Sequence, residues 1–160
     1  MLTRFQFLEQ LYYPGYMGLL TEDYDKRSAV FSFKPTEPPV FKVADYLTPR
    51  GAHIFISQGG LCLIEYVLEQ EGFVMGVQEY RELTSQGRMK IIELNQRYRR
   101  EVSLDRNLQG RIALTRVRWG ELPMVKMDFD IANRAISGNL TGVLAPRPMP
   151  QLNADIIVRR

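Results

Sequence analysis

The chain has 160 residues, 45% of them apolar and 24% charged, which is the size and composition of one globular domain. The sequence shows no run of about 18 apolar residues, which argues against a membrane span. Its first residues lack the basic-then-apolar pattern of a signal peptide, so the expected location is cytoplasmic. The single cysteine, Cys62, allows no intrachain disulfide, and with His53 as the only other soft ligand the sequence argues against a metal site.

The formal charge is +3. No Lys-rich run or RNA-binding motif accompanies it, which argues against nucleic acid as a partner. The basic residues are mostly arginine, whose planar fork suits phosphates and carboxylates.

In chain order, residues 3–11 read as a helix, with Thr3 as a cap and Phe5, Leu8 and Leu11 at helical spacing. Tyr12, Tyr13, Pro14 and Gly15 end it in a turn. Residues 24–34 read as a strand, with Ala29, Phe31 and Phe33 alternating. Residues 35–52, broken by Pro35, Pro38 and Pro39, read as a long irregular stretch of the kind that often carries function. Residues 57–70 read as a helix that is apolar nearly all round, hence buried, with Ser57 as its N-cap and Gly72 closing it.

The second half is β-rich. After a short helical segment at 74–85, strands are expected over 88–100, 109–119, 123–131 and 135–144. The cleanest is 123–131, where Val125, Met127, Phe129 and Ile131 alternate with Lys126, Asp128 and Asp130. Short turns between the last three strands make them antiparallel neighbours. Pro146, Pro148 and Pro150 then end the fold, leaving 146–160 as an edge strand or a loose tail. The expected class is α+β: an antiparallel sheet wrapped around one buried helix.

His53 precedes that helix. There it fits a general base or hydrogen-bond donor beside free helix amides, or a partly buried histidine bonded to the backbone. Gly59 and Gly60 would let a substrate approach those amides. Ser57 reads as a nucleophile only with a base in reach, and otherwise as a cap; Cys62 reads as core. Arg97, Arg99, Arg100, Arg106, Arg111, Arg116 and Arg118 fit either an anionic partner or a solvated strand face.

The run Tyr46-Leu47-Thr48-Pro49-Arg50-Gly51-Ala52-His53, followed by Gln58-Gly59-Gly60-Leu61-Cys62-Leu63, resembles the loop and central helix of the FcoT-like long-chain acyl-CoA thioesterases. Asn95-Gln96-Arg97-Tyr98-Arg99 and Ser137-Gly138-Asn139-Leu140 resemble that family's later strands. The likeness covers about residues 8 to 144, and order and spacing carry it. It implies a hot-dog fold of five or six antiparallel strands around the long helix, in a homodimer or higher homo-oligomer. It further implies hydrolysis of an acyl thioester, with CoA or an acyl carrier protein as partner and the phosphopantetheine arm as part of the substrate rather than a cofactor.

By this resemblance His53, Tyr46 and Tyr13 fall on or near family site residues, with Ser57 beside them. Gly59, Gly60, Phe55, Gln58, Asn95, Arg97 and Arg99 are the expected substrate contacts. Phe55 stands where the family has an asparagine, for which Asn95 or Gln58 is the candidate substitute. Hydroxyacyl dehydratases and enzymes adding an amine to an enoyl thioester share the fold, so lyase chemistry stays open beside hydrolysis, as does a non-catalytic acyl-binding role. Glu65 is the odd charge on the buried helix, where many hot-dog thioesterases carry a carboxylate and where a carboxylate at a dimer interface fits as well.

Overall fold

The computed structural model describes residues 4–12, 18–34, 46–72, 76–104, 106–118 and 122–144. A short helix, α1 (Arg4–Leu11), precedes a hairpin, β1 (Leu19–Asp25) and β2 (Ser28–Phe33). The long helix α2 (Pro49–Gln70) and the shorter α3 (Val77–Ser85) follow. Four strands complete the chain: β3 (Met89–Tyr98), β4 (Leu108–Arg118), β5 (Met124–Ile131) and β6 (Ile136–Leu144).

The strands form one sheet of order β1-β2-β4-β5-β6-β3, antiparallel throughout, with α2 packed on one face. This is the hot-dog arrangement expected from the resemblance. The alternation in β5 is realised: Met127, Phe129 and Ile131 are buried while Lys126 and Asp128 are exposed. Opposite residues of paired strands share a face. Gly138 of β6 lies between Phe129 and Gln96, so Gln96 is on the helix side, and its neighbours Asn95 and Arg97 point to the outer face.

Two boundaries differ from expectation. The strand read at 24–34 is a hairpin: Lys26, at φ 43°, turns the chain between β1 and β2. The long helix begins at Pro49, not Ser57. Thr48 is its N-cap, with its Oγ1 accepting from the Gly51 amide at 3.3 Å. Proline reads as a breaker, but at the first helical position its fixed φ fits and its missing N–H costs nothing. Ser57 is therefore a mid-helix residue and caps nothing. The C-terminal reading stands: Gly72 takes φ +82° just past the helix.

By length and composition alone α2 reaches the range of a membrane span, an 18-residue window having mean hydropathy 1.3. Ten of its residues are buried, which gives that apolarity a cause within the fold.

Candidate functional site

At about 100° per residue the 22-residue helix presents two distinct stripes. Phe55, Gln58, Gly59 and Cys62 face the β1–β2–β4 half of the sheet. Phe55 is 1% exposed; its ring stacks on Phe33 at 4.3 Å and meets Phe31 edge-on at 6.1 Å. Gln58 is fully buried, its Oε1 accepting the Gly18 amide at 3.1 Å, so it ties the start of β1 to the helix. A Cβ on Gly59 would lie 2.7 Å from Cδ1 of Ile112 and 3.1 Å from the Phe31 ring, so this glycine lets helix and sheet approach. Phe55, Gln58 and Gly59 are thus packing residues, correcting the expectation that they contact substrate.

The other stripe runs through His53, Ser57, Gly60 and Ile64. Beneath it lies an apolar cavity of about 260 Å³ between α2, α3 and the β3–β6–β5 half of the sheet. Leu61, Ile64 and Leu68 of α2 wall it on one side, with Met127, Leu140 and Val143 opposite. Ser57, Tyr80 and Lys90 are its polar-tipped neighbours. The cavity opens to solvent on one side, so a ligand can enter it without the fold opening.

His53 is exposed, one turn N-terminal to Ser57. Ser57 lines the cavity; side chains four apart on a helix have Cβ atoms about 5–6 Å from one another, so His53 stands one turn before the cavity wall. The amides of Ser57 to Gly60 are spent within the helix, because the true N-terminus lies two turns earlier. The free amides expected at Gly59 and Gly60 are therefore absent from this position, and the Ser57 hydroxyl is the available donor. Gly60 remains a cavity residue: a Cβ there would meet only Sδ of Met127, at 3.6 Å.

Tyr46 is 45% exposed and pairs with Ser103 in an isolated bridge, while the Leu47 amide donates to the Val102 carbonyl at 2.8 Å. These bonds place the segment leading into α2 beside the chain that follows β3. Arg99 and Arg100 therefore share the end of the fold that holds the α2 N-terminus. The Arg99 amide bonds the Ala135 carbonyl, and the Arg100 guanidinium bonds that of Ala132. Arg134 sits in the same β5–β6 turn, where Ala132, Asn133 and Arg134 all take positive φ.

Asn95 and Arg97 lie elsewhere. Asn95 donates to Asn139 at 3.2 Å and to Glu93 at 3.1 Å on the outer face, away from His53. They cannot join a site on the helix side, and neither Asn95 nor Gln58 replaces the family asparagine. Tyr13 lies outside the described residues. Among the described residues, no group of three His, Cys, Asp or Glu side chains forms a metal-holding cluster.

Glu65 is off the cavity stripe, beside Tyr80. Burial raises its carboxyl above the usual range, and the Tyr80 hydroxyl and Arg4 offset this in part. Tyr80 is 1% exposed and its hydroxyl is raised by burial first and by Glu65 second. Cys62 is fully buried; burial, then the Glu22 charge, pushes its thiol up to about 12, so it is core. Sequence reading missed the second stripe, because Leu61, Ile64 and Leu68 look the same whether they meet a packed sheet or a cavity.

No family model matches the chain, and no curated protein does. Solved structures do. A thioesterase superfamily protein from Shewanella loihica PV-4 is similar with a TM-score of 0.52 at 13% identity, over 86% of this chain and 99% of that one. The dehydratase heterocomplex ApeI:P from Xenorhabdus doucetiae is similar with a TM-score of 0.52 at 6% identity, over 85% of this chain and 87% of that one. At such identities the likeness speaks to architecture. The six-stranded antiparallel sheet with a long helix against it is the hot-dog fold of thioesterase-superfamily structures.

Proposed function

We propose that this chain hydrolyses a fatty acyl thioester carried by CoA or an acyl carrier protein, as a homodimer. The observation that carries the reading is the apolar cavity along α2, with Ser57 in its wall and the exposed His53 one helix turn before it. An acyl chain fits the apolar walls, and a cavity of about 260 Å³ is close to the lower bound for ligand pockets. Burial of the chain leaves the thioester carbonyl beside Ser57.

In this reading the Ser57 hydroxyl donates to the carbonyl oxygen, where negative charge develops. His53 takes a proton from the water that attacks the carbonyl carbon. The C–S bond then breaks, and the thiolate sulfur takes up the proton that His53 holds. Tyr46 stands at the approach. Arg99, with Arg100 and Arg134 at the same end, is suited to the phosphates of the CoA or phosphopantetheine arm. The resemblance of residues 46–63 to FcoT-like thioesterases supports the same assignment for Tyr46 and His53.

An exposed edge at β3 supports the dimer. It is an edge strand ten residues long, with Ile91 38% and Ile92 51% exposed, and such an edge pairs readily with a second copy. The dehydratase among the fold neighbours raises a lyase alternative. Neither helix acid, Glu65 or Glu69, lines the cavity, which favours hydrolysis. Mass spectrometry of the protein mixed with acyl and 3-hydroxyacyl thioesters separates the chemistries. Hydrolysis yields free acid and free thiol. Loss of one water with the thioester intact would replace it with dehydration. Binding without turnover would leave a carrier.

A further inference from the structure

Gly60 and its neighbour Gly59 interrupt the middle of α2, where glycine weakens a helix relative to alanine. For Gly59 the sheet supplies the reason, since a Cβ would press into Ile112 and Phe31. No such reason applies at Gly60. A Cβ there makes one ordinary van der Waals contact, to Met127 at 3.6 Å, so neither sheet nor backbone requires glycine. What a side chain at this position would take is cavity space.

Its place along the helix gives that space a meaning. Gly60 is one turn beyond Ser57, and the cavity continues past it to Leu68, about 16 Å of helix rise from Ser57. A chain whose carbonyl sits at Ser57 must pass Gly60 to reach the distal half, lined by Ile64, Leu68 and Tyr80. We propose that Gly60 is a gate position: its missing side chain admits the acyl chain to the distal cavity and so sets the chain length the protein accepts. This rests on the acyl-thioester reading above.

The test compares kcat/KM for acetyl, butyryl, octanoyl and dodecanoyl thioesters in the wild type, Gly60→Ala, Gly60→Leu and Leu68→Ala. Gly60→Leu should lower the dodecanoyl-to-acetyl ratio tenfold or more, and Gly60→Ala by less. Gly60→Ala should also melt higher than wild type, showing that lost selectivity is not lost folding. Leu68→Ala, which enlarges the distal end, should raise the dodecanoyl-to-octanoyl ratio. Equal losses at every chain length, or an unchanged profile, would overturn the gate. A wild type that cleaves no thioester overturns hydrolysis instead, and the gate is then read from binding of a fluorescent long-chain fatty acid. Weaker binding by Gly60→Leu than by wild type supports it, and equal binding sinks it.

Discussion

His53 and Phe55, two residues apart, occupy opposite sides of α2: His53 is exposed to solvent, and Phe55 is stacked on Phe33 in the core. Their substitutions should therefore separate. Phe55→Ala should cost about 3–5 kcal/mol of unfolding free energy, as for a large ring removed from a packed core. His53→Ala should stay within about 0.5 kcal/mol, as for a surface change. Denaturant titration of both variants checks this, and equal losses would mean that Phe55 is not a packing residue.

The glycines facing the sheet predict graded damage. A Cβ on Gly138 would fall 1.8 Å from the Asn95 carbonyl oxygen, which is backbone and cannot step aside without opening the β3–β6 pairing. Gly138→Ala should release β3, seen as faster hydrogen exchange across Met89–Tyr98 than in the rest of the sheet. Gly59→Ala meets only side-chain atoms, but fully buried ones, and should cost about 1–3 kcal/mol as overpacking.

Glu65 predicts a pH dependence. Its folded carboxyl is raised, so between the ordinary carboxylate range and its folded value the native state holds more protons than the unfolded state. Stability from this group therefore falls as pH rises through that window. Glu65→Gln should be more stable than wild type at neutral pH, with the gap closing as pH drops below the usual carboxylate range. The carboxyl is partly open to solvent, which keeps the gain below about 1 kcal/mol. Melting curves across pH test the sign; a gap that widens in acid would contradict it.

Arg4 fastens α1 to the rest of the molecule. Its guanidinium lies 4.9 Å from the Tyr24 ring centroid and 5.0 Å from that of Tyr66, two rings stacked at 4.5 Å, and it pairs with Glu69. Arg4→Ala should cost about 1–2 kcal/mol, from partly buried cation–π contact and the lost pair. Exchange protection should fall first in Arg4–Leu11. Unchanged protection there would show that α1 is held by Leu8 and its apolar neighbours alone.

Much of the fold is legible in the sequence because local pattern and final burial agree. The period-two alternation in β5, the apolar helix and the short turns of the second half all survive in three dimensions. The helix start does not, since Pro49 reads as a breaker until Thr48 is seen to cap the turn it opens. The β1–β2 hairpin is hidden because its turn, Lys26-Arg27, carries neither Gly nor Asn. The site is legible only in part. His53, Ser57 and Gly60 come together on one stripe because the helix is longer than its sequence signals suggest. Phe55, Gln58 and Gly59 turn to the sheet, and Asn95 and Arg97 turn outward by strand parity, which depends on register that no local pattern reveals.

The central claim is tested most directly by free-thiol release from acyl-CoA and acyl carrier protein thioesters by the wild type, His53→Ala and Ser57→Ala. Hydrolysis at this site predicts release by the wild type and a fall of about 10²-fold or more in kcat for His53→Ala, the usual contribution of a general base. Ser57→Ala should lose a comparable factor, as for one carbonyl-oxygen donor. Wild-type turnover that neither substitution changes would contradict the account.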